Sequence, residues 1–306
     1  MRRTLVAIVG ATATGKTAVG ESVAARLAGE VVCADARQVF RELELGTGKP
    51  TPAERARRPH HLFAWLALGE RSTAGRWARA AADVCEACFA RGVTPVLVGG
   101  SGLYLAALQR GLHPEPPRDA AARGALEREC DAVGVAAMHA RLRERDPVAA
   151  ASLGPRDRQR VLRALEITSV GGHTLAWWRE RPREAPLAAD WRAYELTCPP
   201  EQLAERIASR TRSMWERGLL AETRALRDAG LEPALRRLAA IGYDEALEQL
   251  AGRISPEQAE QRMNERTRQL AKRQRTWFRH QLAAVKLELA EAGASDWIER
   301  VASEVR

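Results

Sequence analysis

At 306 residues, with 48 Lys and Arg against 39 Asp and Glu, the chain carries a formal charge of +9 and is long enough for one elaborated domain or for two. No apolar run approaches the ~20 residues of a membrane helix, and five cysteines in a chain of this size do not describe a disulfide framework, so a membrane span and a stapled secreted domain are both set aside. The surplus of positive charge points to an anionic partner such as nucleic acid, and a cytoplasmic location is expected.

The apolar run Leu5-Val6-Ala7-Ile8-Val9 reads as a buried strand. It leads directly into Gly10-Ala11-Thr12-Ala13-Thr14-Gly15-Lys16-Thr17, after which a helical stretch from Lys16 to Leu27 can end at Gly29. Strand, loop and helix in that order, with the spacing G-x-x-x-x-G-K-[ST], describe a phosphate loop. Its glycines let successive N–H groups curl round a phosphate, the helix N-terminus adds its dipole, Lys16 reaches the outer phosphate, and the Thr17 hydroxyl can ligate Mg²⁺. Arg2 and Arg3 ahead of the run and Ala11-Thr12-Ala13 after it mimic a signal peptide; the run is too short and meets the loop lysine at once, which excludes that reading. Almost every other cation is arginine, so the lysines at Lys16, Lys49 and Lys272 mark motifs where a compact ammonium is wanted.

A second strand, Glu30 to Ala34, delivers Asp35 at its carboxyl end, and a third, Thr94 to Val98, delivers Gly99-Gly100-Ser101-Gly102-Leu103-Tyr104 to the same edge. Between them lie Gly46-Thr47-Gly48-Lys49-Pro50, the pair His60-His61, and a helix containing Trp77. Cys85 and Cys88 have the spacing of half a zinc site, yet they sit in the helical run Arg79 to Arg91 with no second pair, so core packing is the preferred role. His60-His61 is read as a packing or hydrogen-bonding pair, with no acidic or thiol partner expected nearby.

Gly111 to Pro117, with three prolines, reads as a linker into three helical segments: Asp119 to Cys130, Val135 to Arg145 and Arg156 to Ser169. Trp191 to Thr197 reads as a strand returning to the sheet, and everything after it as helical. The long last helix opens with Ser255-Pro256-Glu257-Gln258, a capping box with proline in the first turn. On it Arg268, Lys272, Arg275 and Arg279 share one face, either a solvated charged stripe or a nucleic-acid surface. Met263, Leu270 and Trp277 recur at sevens on the opposite side. The pattern is an α/β fold: a P-loop core with a mostly parallel sheet (1–117 and 189–306), a helical insertion (118–188) and a helical C-terminal region.

A phosphate loop by itself permits an NTPase, a small-molecule kinase or another enzyme that manages a pyrophosphate. Asp35 suits a base that takes a proton from a substrate group. An NTPase would carry a Mg²⁺ carboxylate at the end of an apolar strand, and Val96-Leu97-Val98 ends instead in Gly99-Gly100-Ser101, which weakens the ATPase reading.

Together, GATATGKT, CADARQVF followed by GTGKP, HHL, VGGSGLY, DRQRVLRALEI, RIASRTRSM, AIGYDE and TRQLAKRQRTWFR resemble the bacterial tRNA dimethylallyltransferases over nearly the whole chain. The resemblance implies transfer of a dimethylallyl group from dimethylallyl pyrophosphate to N6 of the adenosine just 3′ of the anticodon, in tRNAs that read codons beginning with U. It implies Asp35 as general base, Ser101 as hydroxyl donor to the bridging oxygen, Lys16 and Arg210 as cations on the pyrophosphate, Gly10 to Thr17 as its cradle, and Mg²⁺ at Thr17. It assigns tRNA contacts to Asp35, Ala36, Arg37, Gln38, Ser101 and Arg123, to Gln159, Arg160, Val161, Leu162 and Arg163, and to Arg268, Lys272 and Arg275. The partner implied is the tRNA anticodon stem-loop, and a monomer is expected.

Several positions depart from the family pattern: Ala36 stands where serine is usual, Ala11 for proline, Phe40 for tyrosine, Ser101 for threonine, and Asp244 where a basic residue is common. The competing readings are an adenylate isopentenyltransferase, which needs neither the insertion nor the basic terminal helix, an ATP-dependent small-molecule kinase, and a non-catalytic RNA-binding module. Intact Lys16, Thr17, Asp35, Ser101 and Arg210 argue against the last.

Overall fold

The computed structural model describes residues 3–184, 186–288 and 294–305. The chain divides into two compact units, one formed by Met1–Gln109 with Leu187–Arg306 and the other by Arg110–Pro186.

The first unit is built on six strands: β1 (Thr4–Gly10), β2 (Glu30–Cys33), β3 (His60–His61), β4 (Pro95–Gly99), β5 (Asp190–Thr197) and β6 (Val285–Glu288). They lie in the order β3-β2-β4-β1-β5-β6, and every pairing is parallel. Leu5 to Val9 are wholly buried, the signature of a central parallel strand covered on both faces. Helices α1 (Lys16–Arg26), α2 (Pro52–Arg55) and α3 (Ala74–Ala90) connect the first four strands, and α4 (Gly102–Arg110) follows β4. The register pairs Val9 with Gly99, so the loops after β1 and β4 emerge side by side, at the edge where open parallel sheets take their ligands.

Two strands escape the sequence pattern. β6 falls in a region read as helical, and β3 is the His60-His61 pair itself. β6, Val285-Lys286-Leu287-Glu288, does alternate, but at four residues on the sheet edge with only Leu287 fully buried it is too short to stand out from the helical pattern around it.

In the second unit, α5 (Ala120–Val133), α6 (Val135–Arg145), α7 (Pro147–Ser152), α8 (Arg158–Gly171) and α9 (Leu175–Arg179) close over Leu126, Met138, Leu142, Val161, Leu162 and Leu165. Asp146 is buried at its centre, accepting the Ala149 N–H that opens α7 and, through its other oxygen, the Leu175 N–H that opens α9. The proline-rich segment read as a linker is packed into this unit. Glu184 N–H donates to the Leu112 carbonyl, and Gly111, at φ +69°, leaves a Cβ only 1.9 Å from the Glu184 carbonyl oxygen.

After β5 the first unit continues through α10 (Pro200–Glu216), α11 (Leu219–Asp228), α12 (Glu232–Leu238), α13 (Tyr243–Leu250), α14 (Pro256–Gln281) and, beyond β6, α15 (Ala294–Val305). The Ser255–Gln258 capping box forms as the sequence predicts. The buried seam of α14 runs through Ala259, Met263, Ala271 and Phe278, with Leu270 and Trp277 only half-buried, because a straight helix drifts off a seven-residue repeat by about 20° per heptad. No helix among the described residues is long and apolar enough to cross a membrane.

Candidate functional site

Gly10 and Gly15 take the backbone angles that turn the loop after β1, φ +148° and +82°. A Cβ on Gly10 would stand 2.6 Å from the Leu196 carbonyl oxygen on β5. Thr14, buried, donates its hydroxyl to the Ala11 carbonyl at 2.9 Å, and Lys16 Nζ reaches the same oxygen at 2.9 Å. Burial pushes the Lys16 ammonium down to about 8, with Asp35 opposing the shift and Arg210 adding to it.

Two arginines of α10 lie over the loop. Arg206 Nε donates to the Ala13 carbonyl at 3.1 Å. Arg210 donates to the Thr12 hydroxyl at 3.2 Å and to the Thr47 carbonyl at 3.1 Å. Burial lowers the pKa of Arg210 while Asp35 raises it, so Lys16, Arg210 and Asp35 share one field.

Asp35 follows β2 directly, and its Oδ1 accepts the Arg37 N–H at 2.9 Å. Ser101 follows β4; its hydroxyl accepts the Ala36 N–H at 2.9 Å, and its own N–H donates to the Ala34 carbonyl. The structure thus brings together Lys16, Arg210, Asp35 and Ser101, which lie far apart in sequence. Arg37 donates to the Leu238 carbonyl at 3.0 Å, and Gln38 is buried with its amide nitrogen on the Thr47 and Gly48 carbonyls.

The two other motifs of this region are scaffolding. Lys49 is buried, with Nζ 2.8 Å from the Phe40 carbonyl and 2.9 Å from Glu44. Glu222 accepts the Glu44 and Leu45 N–H groups and the Tyr243 hydroxyl, and Tyr243 in turn accepts the Gly46 N–H. This relay sets the 44–48 turn whose Thr47 carbonyl receives Arg210. Asp244 and the buried Glu245 both engage Arg266 of α14, so the acid in place of the usual base is paired within the fold.

His61 departs from its sequence reading. Glu30 lies 2.8 Å from its Nε2 and also receives the Cys88 thiol at 3.4 Å, so an acid and a thiol do adjoin it. These three groups could hold a metal by distance. The Arg91 guanidinium already supplies the cation, donating to both Glu30 oxygens at 2.6 and 2.7 Å and holding that carboxyl down at about 2.

In the helical unit the residues assigned to RNA divide into two groups. Val161 and Leu162 are wholly buried in the core of that unit, so their side chains cannot reach a polynucleotide. Arg163 is committed to Glu115 at 2.6 Å and to the buried Glu166 at 2.8 Å, and Arg123 to Glu127 at 2.7 Å. Gln159 and Arg160 face solvent; the Arg160 guanidinium lies 3.5 Å from Asp157. On α14, Arg268 and Lys272 are exposed. Arg275 is half-buried and, with Arg279, Lys286 and Glu195, lines a cavity of about 280 Å³ that Ala11 and Thr14 also border.

Sequence reasoning passed over Gln274. Its Oε1 accepts the Thr12 N–H at 2.8 Å and its Nε2 donates to the Gly100 carbonyl at 2.9 Å. The signal was available only as a polar residue on the inner side of a helix whose apolar seam runs past it.

A parallel sheet with a strand–loop–helix phosphate cradle at its carboxyl edge places the chain in the P-loop α/β class. The IPP transferase model matches residues 38–281, and the isopentenyl transferase model matches residues 3–61. The chain belongs to the IPP transferase family. It is 44% identical over 224 residues to a tRNA dimethylallyltransferase of Halorhodospira halophila, covering 72% of each chain. It is 40% identical over 286 residues to one of Rhodopseudomonas palustris, covering 93% of this chain and 89% of that one. Among solved structures, the full-length tRNA isopentenylpyrophosphate transferase of Bacillus halodurans superposes with a TM-score of 0.72 at 32% identity, over 99% of this chain and 96% of that one. A eukaryotic dimethylallyltransferase acting on tRNA superposes with a TM-score of 0.79 at 26% identity, over 98% and 77%.

Proposed function

We propose that this protein is a tRNA dimethylallyltransferase: it moves the dimethylallyl group of dimethylallyl pyrophosphate onto N6 of the adenosine 3′-adjacent to the anticodon, in tRNAs that read codons beginning with U. The observation that carries the reading is the convergence of a base, a hydroxyl and two cations on one loop, with Asp35 contributing to the field at both Lys16 and Arg210.

Each group has a task set by the chemistry. The allylic carbon tolerates positive charge, so the main demand is to stabilise the charge that grows on the departing pyrophosphate. Lys16, Arg210 and the amides of Gly10 to Thr17 meet it. The attacking amine is a weak nucleophile that becomes acidic as the C–N bond forms, so a carboxylate suffices as base; Asp35 takes that proton. Ser101, already accepting from Ala36, keeps its own proton to donate to the bridging oxygen.

Thr17 stands in the first turn of α1 directly after the phosphate loop, and its hydroxyl is a hard oxygen donor of the kind that suits Mg²⁺. Thr17 and the substrate phosphates would hold it, and it supplies charge neutralisation on the pyrophosphate. The target adenine leaves its stacked loop to enter the site. Gln159 and Arg160 in the helical unit, and Arg268 and Lys272 on α14, are exposed, which supports their role as contacts to the tRNA backbone, and Arg37 follows Asp35 by two residues. The protein works as a monomer in the cytoplasm.

Labelled dimethylallyl pyrophosphate offered with an anticodon stem-loop, with AMP or with ATP tests the reading. Label should pass to the stem-loop alone. Transfer to AMP in preference to RNA would identify an adenylate isopentenyltransferase instead.

A further inference from the structure

The loop that holds the leaving group and the loop that carries Ser101, already side by side through the β1–β4 pairing, are bridged by one side chain of α14. Gln274 takes the Thr12 N–H at 2.8 Å with its oxygen and gives a hydrogen bond to the Gly100 carbonyl at 2.9 Å with its nitrogen. Gly100 precedes Ser101; the Ser101 hydroxyl holds the amide of Ala36, and Ala36 follows Asp35. Thr12 is gripped from its other end by Arg210, through its hydroxyl. The arrangement has no slack: a Cβ on Gly100 would stand 2.4 Å from Gln274 Nε2, and one on Gly102 2.3 Å from the Trp277 ring. A primary amide offers an acceptor and a donor at the end of one side chain, and asparagine falls one methylene short.

We propose that Gln274 is a positioning residue that fixes the distance between the pyrophosphate loop and the Asp35–Ser101 pair, and that it carries the seating of RNA on α14 to that distance. The proposal rests on the transferase reading above. Lys272 and Gln274 are two residues apart, roughly 200° round the helix, so a phosphate engaged on the exposed side bears on the same rod that grips Thr12 and Gly100. Nucleophile and leaving group are held by different strand ends, and a displacement of about 1 Å between such partners can cost about 10²-fold in rate.

The test is Gln274→Met, which keeps the length and removes both hydrogen bonds. With dimethylallyl pyrophosphate and stem-loop both saturating, the single-turnover rate should fall about 10- to 100-fold, while stem-loop affinity and its salt dependence stay within about twofold. Calorimetry with inorganic pyrophosphate and no RNA should show affinity weakened about threefold to tenfold, the effect of one lost hydrogen bond in the cradle. Gly100→Ala, which pushes the intact Gln274 amide off its partners, should reproduce the rate loss, and serves if the methionine variant does not fold. A wild-type rate in either folded variant overturns the proposal. So does a rate loss matched by an equal loss of RNA affinity, which would make Gln274 an RNA contact. If the wild-type chain does not prenylate the stem-loop, the transferase reading has failed, and the pyrophosphate titration alone decides for Gln274: unchanged affinity in Gln274→Met sinks it.

Discussion

The Ser101 hydroxyl accepts the Ala36 backbone N–H at 2.9 Å, so a main-chain group orients the serine and couples its loop to the segment bearing Asp35. A side-chain hydroxyl at position 36 is not needed for that geometry. Ala36→Ser should therefore change the single-turnover rate less than about threefold. Ser101→Ala should lower it about 10²- to 10³-fold, as removal of a donor to developing charge does, and Ser101→Thr should restore it. Rapid-quench transfer assays on the three variants check the set.

Asp35→Asn keeps the shape and the Arg37 N–H contact but removes the proton acceptor. Loss of a general base should cost about 10²- to 10⁴-fold in the transfer step, with stem-loop affinity nearly unchanged. A variant retaining roughly a third of the wild-type single-turnover rate, far above that range, would remove Asp35 from the mechanism.

Lys16 gives a pH signature. Its folded pKa of about 8 means that the free protein loses this charge as pH rises through 8, whereas bound pyrophosphate favours the ammonium. Binding should therefore take up protons between about pH 8 and the ordinary lysine value near 10.4, and little at pH 7. Titrations in two buffers of different ionisation enthalpy measure the uptake, and Lys16→Met should abolish that part of it. Lys16→Arg should not restore transfer, because the ammonium's place against the Ala11 carbonyl is too tight for a planar guanidinium.

Arg163 and Lys272 should behave in opposite ways, although both were read as RNA contacts. Lys272→Ala, on the exposed side of α14, should reduce the slope of log affinity against log salt by about 0.7–0.9. Arg163→Ala should leave the slope unchanged and destabilise the helical unit, because it strips a partner from the buried Glu166. The cost should be on the order of 3 kcal/mol, the lower end for a broken buried pair, since Arg123 stays 3.9 Å from the same carboxylate. Salt-series filter binding and thermal unfolding separate the two outcomes.

The phosphate loop, Asp35 and Ser101 were legible because each stands at the end of a short apolar run, where a parallel sheet must put its ligands. Arg210 came only through resemblance: nothing in the spacing along α10 marks it out from Arg206 or Arg212. Gln274 and the relay from Glu222 through Tyr243 to Gly46 were not legible at all, since their meaning lies in backbone groups more than 170 residues away in the chain. The assignment of Val161, Leu162 and Arg163 to RNA has a different origin, and the burial of the first two and the ion pairs of the third weigh against side-chain contact. A motif carried over as a block does not distinguish the residues that face out from those that hold the helix down. His61 was misjudged because Glu30 and Cys88 reach it only through the β2–β3 pairing and the packing of α3.

All five thiols of this chain are buried, and burial raises the pKa of Cys85 to about 12 and of Cys88 to about 11. At the wholly buried Cys33, Cys85 and Cys88 an alkylating reagent in neutral buffer meets almost no thiolate and no accessible sulfur, and at Cys130 burial alone screens the thiol, so modification there must wait for the surrounding structure to open. The cysteines are therefore built-in clocks of local opening. Cys130 keeps time for the helical unit, and Cys33, whose thiol donates to the Asp35 carbonyl, keeps time for the segment that carries the base. Mass-resolved labelling rates would register whether RNA or pyrophosphate quiets one of these regions and leaves the other running.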